Sequence, residues 1–254
     1  MGKIIAVANQ KGGVAKTTTV INLADALVRA GKKVLVVDMD PQGNATSGLG
    51  INRAEIAAST YNLVIDGEKA EDIILPTAFG ELYVMPADIN LAGAELELVP
   101  LPNRERRLQQ GLDYAAPVFD YLLIDCPPSL GLLTLNALTA AESIIIPVQA
   151  EYYALEGLQQ LFSTFMKVRQ GFNPNLAILG VLLTMYDSRV NLSAQVVDQV
   201  KEHFGSLVFD VIIPRNVRLS EAPSHGMPIS YYDPKSKGTE TYRLLAERVI
   251  ERTK

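Results

Sequence analysis

Two lysines, two adjacent glycines and a pair of threonines crowd together near the start of the chain, in Lys11-Gly12-Gly13-Val14-Ala15-Lys16-Thr17-Thr18. A short apolar run at 4–8 precedes them, and a helical pattern over about 18–29 follows. Strand, glycine-rich turn and helix together make an anion cradle. The turn aims backbone N–H groups inward, and the dipole of the helix adds to them. In such a cradle Gly12, Gly13, Val14 and Ala15 supply backbone and Thr18 opens the helix. Lys16 reaches the outer phosphates and the Thr17 hydroxyl holds Mg²⁺.

Carboxylates recur at two later strand ends. In Val36-Val37-Asp38-Met39-Asp40-Pro41-Gln42-Gly43-Asn44 the two aspartates are two apart on an extended chain, so both point the same way. Both can then face a Mg-nucleotide, although the same composition also makes a plain strand-to-loop exit. In Tyr121-Leu122-Leu123-Ile124-Asp125-Cys126-Pro127-Pro128, four apolar residues run into an aspartate. A carboxylate there holds Mg²⁺ through its water shell, or merely caps a proline turn.

The elements that must position these groups follow from hydrophobic patterning. Near-continuous apolar runs at 4–8, 34–37, 82–85, 121–124, 143–147 and 178–184 read as strands, with 212–213 a further short one. Helical patterns cover 18–29, 130–140, 154–171, 192–204 and 239–252. This alternation implies an α/β fold whose mostly parallel sheet carries helices on both faces, with ligands at the carboxyl ends of the strands. The stretch 51–80 is polar and irregular. No Gly/Ser-rich linker or internal repeat interrupts the chain, so one domain over 1–254 is expected. The last helix carries Tyr242, Leu245, Ala246, Val249 and Ile250 at helical spacing. That face suits packing on the sheet better than a membrane surface, because its polar side mixes charges.

Composition narrows the class. Of 254 residues, 48% are hydrophobic and 20% charged, enough to bury a full core. No apolar stretch reaches the ~18 residues of a membrane span, and no secretory signal pattern is present. A lone cysteine, Cys126, fits a reducing cytoplasm. The net charge of −5 divides into −7 over residues 1–188 and +2 over 189–254. Bulk charge therefore does not favour DNA, but a local basic patch acts within ~10 Å in salt.

The loop resembles the deviant Walker A motif, KGGxxK[ST], whose extra lysine corresponds to Lys11, and Asp125 has the Walker B form. Further strings sharpen the likeness: Ala8-Asn9-Gln10-Lys11-Gly12-Gly13, Asp40-Pro41-Gln42-Gly43-Asn44-Ala45-Thr46, Asp125-Cys126-Pro127-Pro128-Ser129-Leu130, Val148-Gln149-Ala150-Glu151 with the six residues after it, and Ile213-Pro214-Arg215-Asn216-Val217-Arg218 with the six residues after it. Essentially end to end, the chain resembles the ParA/Soj-type chromosome and plasmid partitioning ATPases, relatives of MinD.

The resemblance implies an ATP-dependent sandwich homodimer with ATP and Mg²⁺ between subunits. Lys11 of one subunit would contact phosphates held by the other, as an arginine finger does. Asp40 corresponds to the residue that orients the attacking water, and Thr17, Asp40 and Asp125 to those that keep Mg²⁺. Met185, Pro214 and Asn216 occupy positions that bracket the adenine. Arg189 and Arg218 match positions that bind double-stranded DNA non-specifically in the dimer. A ParB-like centromere-binding partner and a cytoplasmic, nucleoid-associated location are implied too, with no stable membrane association.

One position departs from the pattern: Ala15 stands where the family has glycine. Ordinary backbone angles at the helix start would accommodate it and leave ATP binding intact. Otherwise the chain is a switch with impaired nucleotide binding or hydrolysis. A MinD-like membrane regulator is the other alternative. A nitrogenase-reductase-like iron–sulfur protein needs two ligand cysteines per subunit, and this chain has one.

Overall fold

A computed structural model describes residues 2–151 and 154–254. Tyr152 and Tyr153, part of one string in the family likeness, lie outside the described residues. Seven strands form one sheet: β1 (Lys3–Val7), β2 (Val34–Asp38), β3 (Leu75–Pro76), β4 (Leu82–Met85), β5 (Tyr121–Asp125), β6 (Ser143–Gln149) and β7 (Ala177–Thr184). Their order is β3-β4-β2-β5-β1-β6-β7, and all neighbours run parallel except the β3–β4 pair at the edge.

Alternation within strands divides the core. Ile4 and Ala6 of β1 join Leu35, Val37, Leu122 and Ile124 on one face. Ile5 and Val7 join Val34, Val36 and Leu123 on the other. Both faces are therefore apolar, and both need helices over them. The helices Leu132–Ala140, Ala154–Gly171 and Asn191–Phe204 cover the first. Helices Lys16–Arg29 and Lys237–Arg252 cover the second, where Tyr242, Leu245, Ala246 and Val249 sit in the core beside Leu23 and Leu27. The apolar side of the last helix is thus used inside the fold.

Polar ties fasten the helix Lys16–Arg29 to the last helix and to the short helix Ile229–Tyr232 before it. Tyr242 Oη and Thr19 Oγ1 share a 3.3 Å hydrogen bond, Asn22 Oδ1 accepts the Ile229 amide at 2.7 Å, and Ser230 Oγ donates to the buried Asp25 at 2.6 Å. Arg29 adds an ion pair to Asp25 at 3.1 Å.

Three expectations change. Residues 212–213 form no strand; Ile213 N–H donates to Leu183 O at 2.9 Å, and an isolated bridge pairs Tyr186 with Pro214. The irregular stretch contains a π-helix, Asn62–Asp66, a short α-helix, Ala70–Ile73, and the antiparallel β3. The third concerns Ala15, which caps the helix Lys16–Arg29 at φ 68, ψ 33, in the left-handed region. The loop geometry that glycine normally supplies is imposed on a residue with a Cβ. That strain costs about 1–2 kcal/mol.

Replacing Ala15 with glycine removes the strain but gives the unfolded chain more freedom, worth about 0.4–1 kcal/mol in the opposite sense. Ala15→Gly is therefore expected to raise the unfolding free energy by up to about 1.6 kcal/mol. Urea denaturation checks it; a less stable glycine variant would contradict the left-handed assignment.

Candidate functional site

The carboxyl ends of three adjacent central strands, β2, β5 and β1, meet. Val7 of β1 and Asp38 of β2 are both in register with Asp125 of β5. The loop after β1 and two carboxylates are thereby brought together, which the sequence could only suggest.

The loop is pinned from both sides. Asn9 Nδ2 donates to Pro147 O on β6 at 2.7 Å, while its Oδ1 accepts the Lys11 amide at 3.1 Å. At the end of β7, Thr184 Oγ1 donates to Val14 O at 3.1 Å. Gly13 adopts φ 74, a conformation open to glycine at little cost. Gly12 and Gly13 are exposed at the loop crest, and Thr17 and Thr18 are half-buried on the first helical turn. The N–H groups of that turn lack intrahelical partners, which leaves donors for an anion.

Lys16 is buried, and its Nζ donates to Lys11 O at 3.2 Å across the loop. Burial pushes its pKa below the ordinary lysine value, and the charges of Asp125 and Asp40 oppose that shift. Asp125 is 0% exposed, and neither of its oxygens has a hydrogen-bond partner. Burial drives its pKa well above the usual carboxylate range, and Asp38 adds to the effect. Thr17 stands near enough to favour the ionised form without completing a hydrogen bond. A buried carboxylate left this way is costly until a cation meets it. A hard carboxylate and a threonine hydroxyl beside a phosphate cradle suit Mg²⁺. Among the described residues no group of three or more His, Cys, Asp or Glu side chains is arranged to hold a metal. Water and phosphate oxygens would complete such a site.

Asp38 and Asp40 divide their work, contrary to the expectation that both face the nucleotide. Asp38 accepts the Thr46 amide and hydroxyl at 2.9 and 2.7 Å, and the Asp40 amide at 3.1 Å. Its burial raises its pKa against those bonds. It holds the loop that carries Asp40. Among the described residues the Asp40 carboxylate accepts only the Gln42 amide, at 2.9 Å. Its charge reaches Lys16, Asp38 and Asp125. Arg53 clamps the same loop, donating to Gln42 O at 2.6 Å and Pro41 O at 3.3 Å.

Lys11 leaves the loop in the other direction. Its Nζ pairs with Glu151 Oε2 at 3.4 Å, both side chains being partly exposed. Met185 sits at φ 53, a strained angle for a non-glycine residue. Next to it, Tyr186 N–H donates to Ile213 O at 3.1 Å and Tyr186 O accepts the Arg215 amide at 2.9 Å. Met185 and Pro214 therefore lie on adjoining segments. Asn216 caps the helix Val217–Glu221 by accepting the Arg218 amide at 2.9 Å.

The two expected DNA arginines are exposed, but neither is a free cation. Arg189 makes a two-pronged pair with Asp187 at 2.9 and 2.7 Å and holds that carboxyl far below its ordinary pKa. Arg218 pairs with Glu221 at 2.9 Å and lies near Asp233 and over the Tyr232 ring. Arg215, between them in the chain and exposed, has no ion pair among the described residues. Sequence reading passed over Arg215, Arg53, Thr46 and Asn9 as site residues. Asn9 could have been found, since an asparagine two before a loop amide forms an Asx turn. The Thr46–Asp38 contact had no local signal.

Comparison with known proteins agrees with this geometry. Residues 2–178 match a protein-family model described as an AAA domain. The chain is 57% identical over 249 residues to sporulation initiation inhibitor protein Soj of Bacillus subtilis, covering 98% of each. It is 54% identical over 252 residues to chromosome partitioning protein ParA of Myxococcus xanthus, covering 99% of this chain and 89% of that one. Among solved structures, cobyrinic acid a,c-diamide synthase from Mycobacterium smegmatis, with bound ADP and magnesium, superposes with a TM-score of 0.88 at 39% identity. That match covers 100% of this chain and 96% of the other. Identity above one half, sustained from end to end over a phosphate loop and its two carboxylate strands, settles the family: the chain belongs to the Soj/ParA family of chromosome-partitioning ATPases.

Proposed function

We propose that residues 1–254 form one Mg-ATPase domain, weak on its own, that alternates between a monomer and an ATP-bound sandwich dimer. The dimer holds DNA without sequence preference on the nucleoid, in the cytoplasm, and a ParB-like partner triggers hydrolysis and release. The observation that carries this reading is the buried, unpartnered Asp125 carboxylate beside Thr17 and Lys16. It asks for a divalent cation next to a phosphate cradle.

In this reading Gly12 to Thr18 cradle the phosphates and Lys16 neutralises the outer ones. Thr17, Asp125 and Asp40 would hold Mg²⁺, directly or through water, and the ion would supply charge neutralisation at the phosphates. Asp40 orients water for in-line attack on the γ-phosphate. Lys11 moves from Glu151 to the partner's phosphates, supplying a cation where charge builds up in the transition state. Met185, Pro214 and Asn216 flank the adenine. Arg189 and Arg218 exchange their carboxylate partners for DNA phosphates, which a planar guanidinium meets two-pronged. Two arginines per subunit become four in a dimer, so DNA binding waits for ATP.

The strained Ala15 favours one second reading, a switch that binds nucleotide without turning it over. Phosphate release in the presence of DNA and partner separates the two. The membrane-regulator alternative gains no support from the last helix, whose apolar side packs in the core.

Lys16→Ala is expected to weaken ATP binding by at least about a hundredfold, ~2.7 kcal/mol. Lys11→Ala is expected to leave binding intact and abolish only dimerisation. Calorimetry with ATP and the particle mass check both; unchanged ATP affinity in the Lys16 variant would contradict the cradle.

Asp125 supplies a sharper test. Because its folded-state pKa is raised, the ligand-free fold gains stability as pH falls through that range and loses it as pH rises. At neutral pH Asp125→Asn should therefore melt higher than the parent without ligand, yet gain nothing further from Mg²⁺ with ATP. A variant that melts lower and still responds to Mg²⁺ would remove the metal role. For DNA, Arg189→Glu and Arg218→Glu should each weaken binding to any duplex about equally while sparing ATP binding. Parent affinity should drop steeply with salt, since phosphate contacts release counterions. Sequence-selective binding, measured by anisotropy on unrelated duplexes, would sink this face.

A further inference from the structure

Asp40, the carboxylate read above as orienting the attacking water, is held through its own backbone loop. Two successive peptide groups do the holding. The peptide joining Pro41 to Gln42 donates its N–H to Asp40 Oδ1 at 2.9 Å. The next one, joining Gln42 to Gly43, donates its N–H to Asp40 O at 2.8 Å. Both peptides are trans, so their carbonyls point away from Asp40.

Those two carbonyls end on one side chain. Arg53 Nη2 donates to Pro41 O at 3.3 Å, and Arg53 Nη1 donates to Gln42 O at 2.6 Å. The guanidinium therefore grips, from the outer side, the same two groups that hold Asp40 from the inner side. A planar fork places donors on both carbonyls at once, whereas a lysine ammonium is a single point charge. A cation at the carbonyl end also polarises each peptide, which strengthens the bond its N–H makes to Asp40.

Local structure aims Arg53 at this loop. It opens the single turn Arg53–Glu55, which Asn52 caps by accepting the Ala54 amide at 3.2 Å. Glu55, the nearest acid in sequence, accepts instead from Asn52 Nδ2 at 2.7 Å. Among the described residues Arg53 makes no ion pair, although it is exposed. Gly43 gives the guanidinium its seat, since a Cβ there would lie 2.8 Å from Arg53 Nε and 2.9 Å from Cζ. The far end of the loop is fixed separately, by the buried Thr46–Asp38 bonds at 2.7 and 2.9 Å. Loss of Arg53 should therefore loosen residues 41–43 and leave Asp38 and the phosphate loop in place.

We propose that Arg53 is a positioning residue for hydrolysis: by clamping the Pro41 and Gln42 carbonyls it sets where the Asp40 carboxylate points. The clamp stands on these contacts alone, and its effect on hydrolysis rests on the ATPase reading above.

The test compares the whole parent protein with Arg53→Ala and Arg53→Lys. Hydrogen exchange without nucleotide reads the clamp. The Gln42 and Gly43 amides should exchange at least about tenfold faster in Arg53→Ala, while the Thr46 amide keeps the parent rate. Phosphate release over a range of Mg-ATP concentrations reads the function. For Arg53→Ala kcat should fall at least about tenfold, with ATP affinity by calorimetry and melting temperature unchanged. Arg53→Lys should stay nearer the alanine variant than the parent in both readouts. Unchanged exchange at Gln42 and Gly43 overturns the clamp, and full rescue by lysine overturns the fork. Faster exchange with unchanged kcat overturns the positioning role, as does a loss of ATP affinity as large as the loss of kcat. A parent that hydrolyses no ATP fails the earlier reading instead, and the exchange result still decides the clamp.

Discussion

The constraint on which the site depends is unbalanced charge at the carboxyl ends of β2 and β5. Asp38 and Asp125 stand in register on adjacent strands, both fully buried, with Lys16 as the near cation. Asp38 has three donors, whereas Asp125 has none. Two carboxylates so placed repel one another, and burial penalises each. The fold tolerates this because the strand ends belong to a rigid parallel sheet with apolar cover on both faces. What the ligand-free chain lacks, a divalent cation and a phosphate would supply, so binding and charge relief are one event.

Around that centre the outlying cations make polar, partly exposed contacts. Lys11 rests on Glu151, Arg189 on Asp187 and Arg218 on Glu221, all exchangeable pairs at the surface. Surface ion pairs of this kind are worth about 0–1 kcal/mol each, so a phosphate can displace the carboxylate without unfolding anything. The anchors that set loop geometry are instead buried hydrogen bonds: Asn9 to Pro147, Thr184 to Val14 and Asp38 to Thr46. The division between fixed cradle and exchangeable cations is what a switch requires.

Much of this was legible in the residue pattern. The phosphate loop, the Asp125 strand end and five of the helices follow from local periodicity and spacing, and all lie where the pattern placed them to within about two residues. What was not legible depended on long-range contacts or on backbone angles. Asp38 looked equivalent to Asp40 until Thr46, eight residues on, claimed its oxygens. Ala15 looked like an ordinary helix start, but the loop forces it to positive φ. Residues 212–213 have strand composition, yet they are used to bring Pro214 beside Tyr186. Short elements within 51–80 were missed because a π-helix and a two-residue edge strand leave too little periodicity to detect.

The central claim is that nucleotide, by filling this charged centre, changes the oligomeric state and through it DNA binding. The most direct measurement is sedimentation of the protein with ADP, with ATP and with a slowly hydrolysed ATP analogue, each with Mg²⁺ and each with and without duplex DNA. The account predicts a monomer with ADP and twice that mass with ATP or the analogue, and only the doubled species moving with DNA. One mass under all three nucleotides, or DNA bound equally by the ADP form, would contradict it.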